Sequence, residues 1–290
     1  MPKVAIVTDS NSGIRQNQLD ELRVHVLPMP FTMDGESHFE DINLTHEIFY
    51  KRQDGGADIA TSQPAPGAVM DLWNKLLEEY DEVLHIPMSS ALSATCESAI
   101  MLSEEYEGKV QVVDNKRISV TQRAAALDAV ELADAGWNAA QIKEHLEKAS
   151  FDCSIYILMD TLKYLKKGGR ITPAAAAIGT ILNIKPVLQI QGGKLDSYAK
   201  ARGAKPGRKI MIDAVKNDLA TRFADAASPE RMWLYVVYSD DIEVGRSFKK
   251  EVEETFPGYD IHMDRLPLSV ASHIGPGAVA IGCCKKLNCL

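Results

Sequence analysis

Three loops hold most of the side chains with chemistry to offer: Thr61-Ser62-Gln63-Pro64, Ser89 to Thr95, and Ser272-His273-Ile274-Gly275-Pro276-Gly277. In HIPMSSALSATCESA (85–99), the apolar residues Val83, Leu84 and Ile86 give way to Pro87. Ser89, Ser90, Ser93 and Thr95 follow, ahead of a helix-like stretch from Glu97 to Tyr106. A strand, a hydroxyl-rich turn and a helix together make an anion site, because the first helical turn offers N–H groups and a positive dipole end. Ser93 and Thr95 would then cradle a carboxylate or phosphate. Two other readings use the same residues. In one, Ser90 or Ser93 caps the helix and Glu97 completes a capping box. In the other, a serine stands in a nucleophile elbow with His273 as its base. That motif needs G-x-S-x-G, and no glycine flanks Ser89, Ser90 or Ser93. Capping and anion binding are compatible with each other; the elbow is the weakest of the three.

Lys166-Lys167-Gly168-Gly169-Arg170 is unusual in a chain of net charge −8, with Lys200, Arg202 and Arg208 further along. It reads as a solvated basic turn, or as a docking face for an acidic or phosphate-bearing partner, since arginine contacts such groups bidentately. Neither G-x-x-x-x-G-K-[ST] nor G-x-G-x-x-G follows the first strand, which removes the usual nucleotide signatures. Asp9, beside Ser10 and Ser12, reads as the organiser of its own turn rather than a metal ligand. Glu47 follows His46 without the second histidine of a zinc helix. Cys283, Cys284 and Cys289 invite a metal, but neighbouring strand residues face opposite ways, so no metal site is expected. Cys96 and Cys153 read as small core residues.

The elements that must position these loops change character near residue 150. Before it, short apolar runs such as KVAIVTDS (3–10), DEVLHIPM (81–88) and KVQVVD (109–114) alternate with helical patterns at 66–80, 94–106, 120–136 and 138–149. VHVLPMPFTM (24–33) reads as one extended piece, and Gly136 as the C′ residue of its helix. This alternation implies a doubly wound parallel sheet. After it come a strand (153–160), the basic turn, a small-residue helix and a hairpin (185–203) turning at Gly192-Gly193. A helix (206–224), a strand (232–239), a helix (244–256) and a strand (260–267) follow. SVASHIGPGAVAIGCCKK closes the chain as a broken turn and a last strand. The second half therefore reads as an α+β domain with a mixed, largely antiparallel sheet.

With 290 residues the chain is long enough for two domains. Its negative charge argues against nucleic acid, whose phosphates need a cationic face. No apolar run approaches the ~20 residues of a membrane span. The N-terminus reads as a first strand rather than a signal peptide, which points to the cytoplasm.

Six segments, in order along nearly the whole chain, together resemble the DegV family, the FakB-type fatty-acid-binding subunits of bacterial fatty acid kinase. They are VTDSNSG (7–13), TSQPAPG (61–67), PMSSALSAT (87–95), TLKYLKKGGRI (161–171), KPVLQIQGGKL…KARG (185–203) and SHIGPGAVAIG (272–282). The resemblance implies two domains, 1–150 and 151–290, with a long-chain fatty acid buried between them. It implies a carboxylate site from Thr61, Ser62, Ser93, Ala94, His273 and Gly275. Arg170 and Arg202 would lie on the face that meets a separate ATP-dependent kinase subunit, which makes an acyl phosphate for phospholipid synthesis. No catalytic residue, metal or cofactor beyond the bound lipid is then expected, and transient membrane contact is compatible with this role. The loop departs from the family's frequent SSxLSGT: Ala94 stands where glycine is common, at a helix start that tolerates alanine. The competing function is a serine-dependent acyl hydrolase or transferase using Ser93 and His273.

Overall fold

The computed structural model describes residues 2–176 and 184–287. Two compact units emerge. One takes the chain up to Ser150 together with Pro267–Ser269; the other takes Phe151–Leu266 and the chain from Val270.

The first unit is built from β1 (Val4–Asp9), α1 (Leu19–Leu22), β2 (His25–Leu27), β3 (Phe31–Met33), β4 (Glu36–His38), α2 (His46–Asp54) and β5 (Ile59–Thr61). It continues with α3 (Pro66–Leu76), β6 (Glu82–Ile86), α4 (Thr95–Ser103), β7 (Val110–Val112), α5 (Val120–Asp134) and α6 (Ala139–Lys148). Its main sheet runs β2-β1-β6-β7, and every pairing is parallel. Every residue of β1 is buried, as expected of a strand covered on both faces. Ala5 and Val7 pack with Val69 and Trp73 of α3 and Cys96 and Ala99 of α4. Thr8 points the other way, where Gln122 Nε2 of α5 reaches its Oγ1 at 3.0 Å.

The extended piece expected at 24–33 is two strands in two sheets. Pro28 and Pro30 interrupt it, since proline cannot donate to a ladder, and β3 becomes the centre of a small antiparallel sheet ordered β4-β3-β5. Asp34 and Gly35 turn β3 into β4 with φ of 55° and 85°, the two positive values of a tight hairpin turn. The returning segment 267–269 is bonded into this unit. Leu268 N–H donates to Glu40 Oε2 at 2.7 Å, and Ser269 Oγ bonds Asn11 Oδ1. Glu40 Oε1 lies 2.6 Å from His46 Nε2.

The second unit holds β8 (Cys153–Leu158), α7 (Lys163–Gly168), α8 (Pro173–Ala176), β9 (Ile184–Ile190), β10 (Asp196–Arg202) and α9 (Ala204–Ala220). β11 (Met232–Tyr238), α10 (Ile242–Thr255), β12 (Ile261–Arg265) and β13 (Val279–Lys285) complete it, and α11 (Leu268–Ile274) spans the return segment and the chain beyond. Strand order is β10-β9-β8-β13-β11-β12. All pairings are antiparallel except β11–β12, which α10 connects as a crossover. One face packs Tyr156, Leu158, Leu234, Val236 and Cys283 against Met211 and Val215 of α9 and Phe248 and Val252 of α10. The hairpin β9–β10 forms as expected. Gly192 in its turn has φ +82°, and a Cβ there would meet Phe151 Cε1 at 2.3 Å.

Two local readings change. The basic turn is the end of α7, closed by Gly169 at φ 69° with its N–H on Leu165 O. SVASHI is helical, within α11, rather than part of a broken turn; the break begins at Gly275. The small-residue helix is seen at Pro173–Ala176, and its continuation over 177–183 lies outside the described residues, as does Cys289. Among the described residues, no helix is long and apolar enough to cross a membrane.

Candidate functional site

The loops singled out by residue type form two polar clusters, one in each unit. In the first unit, loops at the carboxyl ends of β1 and β6 stand where open parallel sheets place their ligands. Asp9 organises that edge. It accepts N–H groups of Asn11 (2.9 Å) and Met88 (2.8 Å) and Gln122 Nε2 (3.2 Å), so one carboxylate ties the ends of β1 and β6 to α5. Burial raises its pKa, and these donors partly offset that. Asp9 thus orders its own turn and more besides.

Ser93 precedes α4 by two residues. Its Oγ accepts the Thr95 N–H at 3.2 Å and lies 2.8 Å from Thr95 Oγ1, giving a hydroxyl pair at the start of a helix. The cap differs from the expected box. Ala94 is the N-cap residue, without a side-chain bond, at φ −71° where alanine is unstrained. Ser90 is turned elsewhere: its Oγ donates to Asp114 Oδ2 at 2.7 Å and receives Lys116 Nζ at 2.7 Å. Burial opposes charge on Asp114, but Lys116 and Ser90 outweigh it and hold the carboxyl below its ordinary range.

Thr61 ends β5, paired with Phe31, and Ser62 N–H donates to Pro30 O at 3.2 Å. Gln63 Oε1 accepts from Ser98 Oγ of α4 at 3.1 Å. This bond ties the Thr61-Ser62-Gln63 loop to α4, the helix that Ser93 and Ala94 precede.

In the second unit, α7 and α11 meet through glycine. A Cβ on Gly168 would stand 2.1 Å from His273 Nδ1, and one on Gly275, at φ +81°, 2.3 Å from the Tyr164 ring. The imidazole therefore lies directly on the backbone of Gly168. Arg170 Nη1 donates to Gly168 O at 2.5 Å. Burial, with Arg170 adding to it, pushes the His273 pKa down to about 4, so the ring is neutral at neutral pH. Arg170, His273 and Gly275 thus share a cluster. Arg202 is exposed at the last residue of β10, opposite Ile184. Arg208 is tied to Ser247 Oγ and Glu251 Oε1, each at 3.4 Å.

Residue types alone did not single out Gln122, Tyr164 or the Gln63–Ser98 link. Gln122 carried a signal, a lone amide in the apolar VTQRAAAL run; the other two are visible only in three dimensions. The nucleophile elbow finds little support. Ser93 is absent from the residues with positive φ, so it lacks the strained turn of that motif, and its Oγ is bonded to Thr95. Among the described residues no group of three His, Cys, Asp or Glu side chains stands ready for a metal.

Comparison with known proteins agrees with this architecture. The model of the DegV family, described as uncharacterised proteins, matches residues 3–286. A DegV domain-containing protein of Listeria innocua is 30% identical over 282 residues, which cover 96% of this chain and 97% of the relative. Among solved structures, a fatty-acid-binding DegV family protein from Thermus thermophilus is similar at 30% identity and a TM-score of 0.87, covering 98% of this chain and 99% of that one. A stearic-acid-binding protein from Eubacterium ventriosum is similar at 25% identity and a TM-score of 0.85, covering 99% of each chain.

Proposed function

The chain belongs to the DegV family, and from that premise we propose that it is a non-catalytic bacterial carrier for a long-chain fatty acid. It presents the carboxylate, in the cytoplasm, to a separate ATP-dependent kinase subunit that makes the acyl phosphate for phospholipid synthesis. Thr61, Ser62, Ser93, Ala94, His273 and Gly275 are the residues assigned to the carboxylate. Arg170 and Arg202 meet the kinase.

The observation that carries this reading is the Ser93–Thr95 hydroxyl pair at the start of α4, joined to the Thr61-Ser62-Gln63 loop through Ser98. Hydroxyls and helix N–H groups supply donors, which a desolvated carboxylate needs more than it needs a countercharge. His273 fits the same role: as a neutral ring it supplies one N–H without a positive charge. Solved relatives that bind fatty acid, one of them stearic acid, support the ligand class. Each buried methylene contributes roughly 0.8 kcal/mol, so the acyl chain supplies most of the affinity and the polar cluster sets its direction.

Denaturing the purified protein and analysing the organic extract by mass spectrometry should release stoichiometric fatty acid. Finding none, with no uptake of added palmitate or oleate, would overturn the reading. Arg170→Ala should weaken coupling to the kinase and leave lipid bound. Loss of lipid from that variant would refute the division of roles.

A further inference from the structure

In the second unit, β13 and β8 pair antiparallel with Cys284 opposite Cys153. Lys285 N–H donates to Asp152 O at 2.9 Å, which makes 285–152 a hydrogen-bonded pair and the adjacent 284–153 a non-hydrogen-bonded one. The other side of β13 agrees. Lys286 N–H donates to Arg231 O at 2.8 Å, so the backbone groups of Cys284 face Trp233 in β11, away from Cys153. Non-hydrogen-bonded partners bring their Cα atoms to about 4.5 Å with side chains on one face at the closest cross-strand approach. A disulfide spans Cα separations of about 4.4–6.8 Å. Both residues are buried thiols. Cys283 faces the other way, into the apolar core opposite Ser154, and burial raises its thiol well above the ordinary value.

We propose that Cys153 and Cys284 form an oxidisable pair, a modification site that closes to a cross-strand disulfide on reaction with a low-molecular-weight disulfide. Cys153 reacts first: it is 5% exposed against 0% for Cys284, and it is the first residue of β8, two residues from the exposed Phe151. Strand ends open at low free-energy cost. Its thiolate attacks one sulfur of the reagent, the reagent's S–S bond breaks, and the departing thiolate takes up the proton that Cys153 released. Cys284 then gives up its proton and attacks the Cys153 sulfur, displacing the second small thiol. Two protein thiols are oxidised and one small disulfide is reduced to two thiols. The same exchange runs backwards when a small thiol is in excess, so the closure is reversible.

The test uses the full-length native protein and 2-hydroxyethyl disulfide. The expected product is lighter by two hydrogens, gives one linked peptide joining the Cys153 and Cys284 segments, and reverts with reductant. Trp233, cross-strand from Cys284, should lose emission as the disulfide forms. Cys284→Ser should stop at a mixed disulfide on Cys153, and Cys153→Ser should leave Cys284 unmodified. Failure of the native wild-type protein to lose two hydrogens while its circular dichroism is retained would overturn the proposal. So would a link involving Cys96, Cys283 or Cys289, or a first adduct on Cys284. Because the wild-type peptide map decides the matter, a poorly folded serine variant leaves the proposal exposed to refutation.

Discussion

His85 lies in the middle of the parallel sheet, fully buried, edge-on to Trp73 at 5.6 Å between ring centroids. Neither ring nitrogen has a hydrogen-bond partner among the described residues. Burial alone drives its pKa from the ordinary 6.5 down to about 4. The folded state therefore refuses a proton that the unfolded state accepts. Stability from this residue is complete above about pH 6.5 and is lost as pH falls from there towards about pH 4. Linkage between the two pKa values gives a loss of about 2 kcal/mol by about pH 5, relative to about pH 7.5. His85→Phe keeps an aromatic edge against Trp73 and removes the proton. Urea denaturation of both proteins at about pH 7.5, 6 and 5 isolates this contribution, because His273 is present in each. The wild type should lose about 2 kcal/mol more than the variant over that range. Parallel stability profiles would refute the assignment of acid sensitivity to this imidazole.

Two further perturbations address the polar clusters. Gly168→Ala places a methyl where His273 Nδ1 stands, 2.1 Å away, so the ring must leave its buried site; by NMR its titration midpoint should rise from about 4 towards 6.5, and an unmoved midpoint would contradict the packing. Ser93→Ala removes one hydroxyl from the Thr95 pair and should weaken fatty-acid retention by about tenfold to hundredfold, the worth of a hydrogen bond to a charged group. Competitive exchange of labelled palmitate measures it, and wild-type retention would refute the carboxylate contact.

Much of the framework could be read from residue order. β1, β6 and β7 announce themselves as short β-branched runs between helical repeats, and α3 shows its buried face at Val69, Trp73 and Leu76. The small sheet β4-β3-β5 was not legible, because strands of three residues are too short for alternation to register. SVASHI escaped for a related reason: seven residues between Pro267 and Gly275 give barely two turns, and the flanking proline and glycine read as a loop. The hydroxyl loops were visible as candidates. Their grouping was not, since Gln63–Ser98 and Gly168–His273 join positions 35 and 105 residues apart. A glycine beneath an imidazole leaves no trace in local composition.

The short return of the chain at Pro267–Ser269 bears on how this protein can be cut into parts. A fragment ending at Ser150 would omit the Leu268 N–H that Glu40 accepts and the Ser269 hydroxyl that meets Asn11. Glu40 would keep His46 but lose one donor, and Asn11 Oδ1 would lose the Ser269 hydroxyl, at about 1–3 kcal/mol for each. Recombinant expression of the N-terminal half therefore calls for a grafted three-residue peptide, or for the uncut chain.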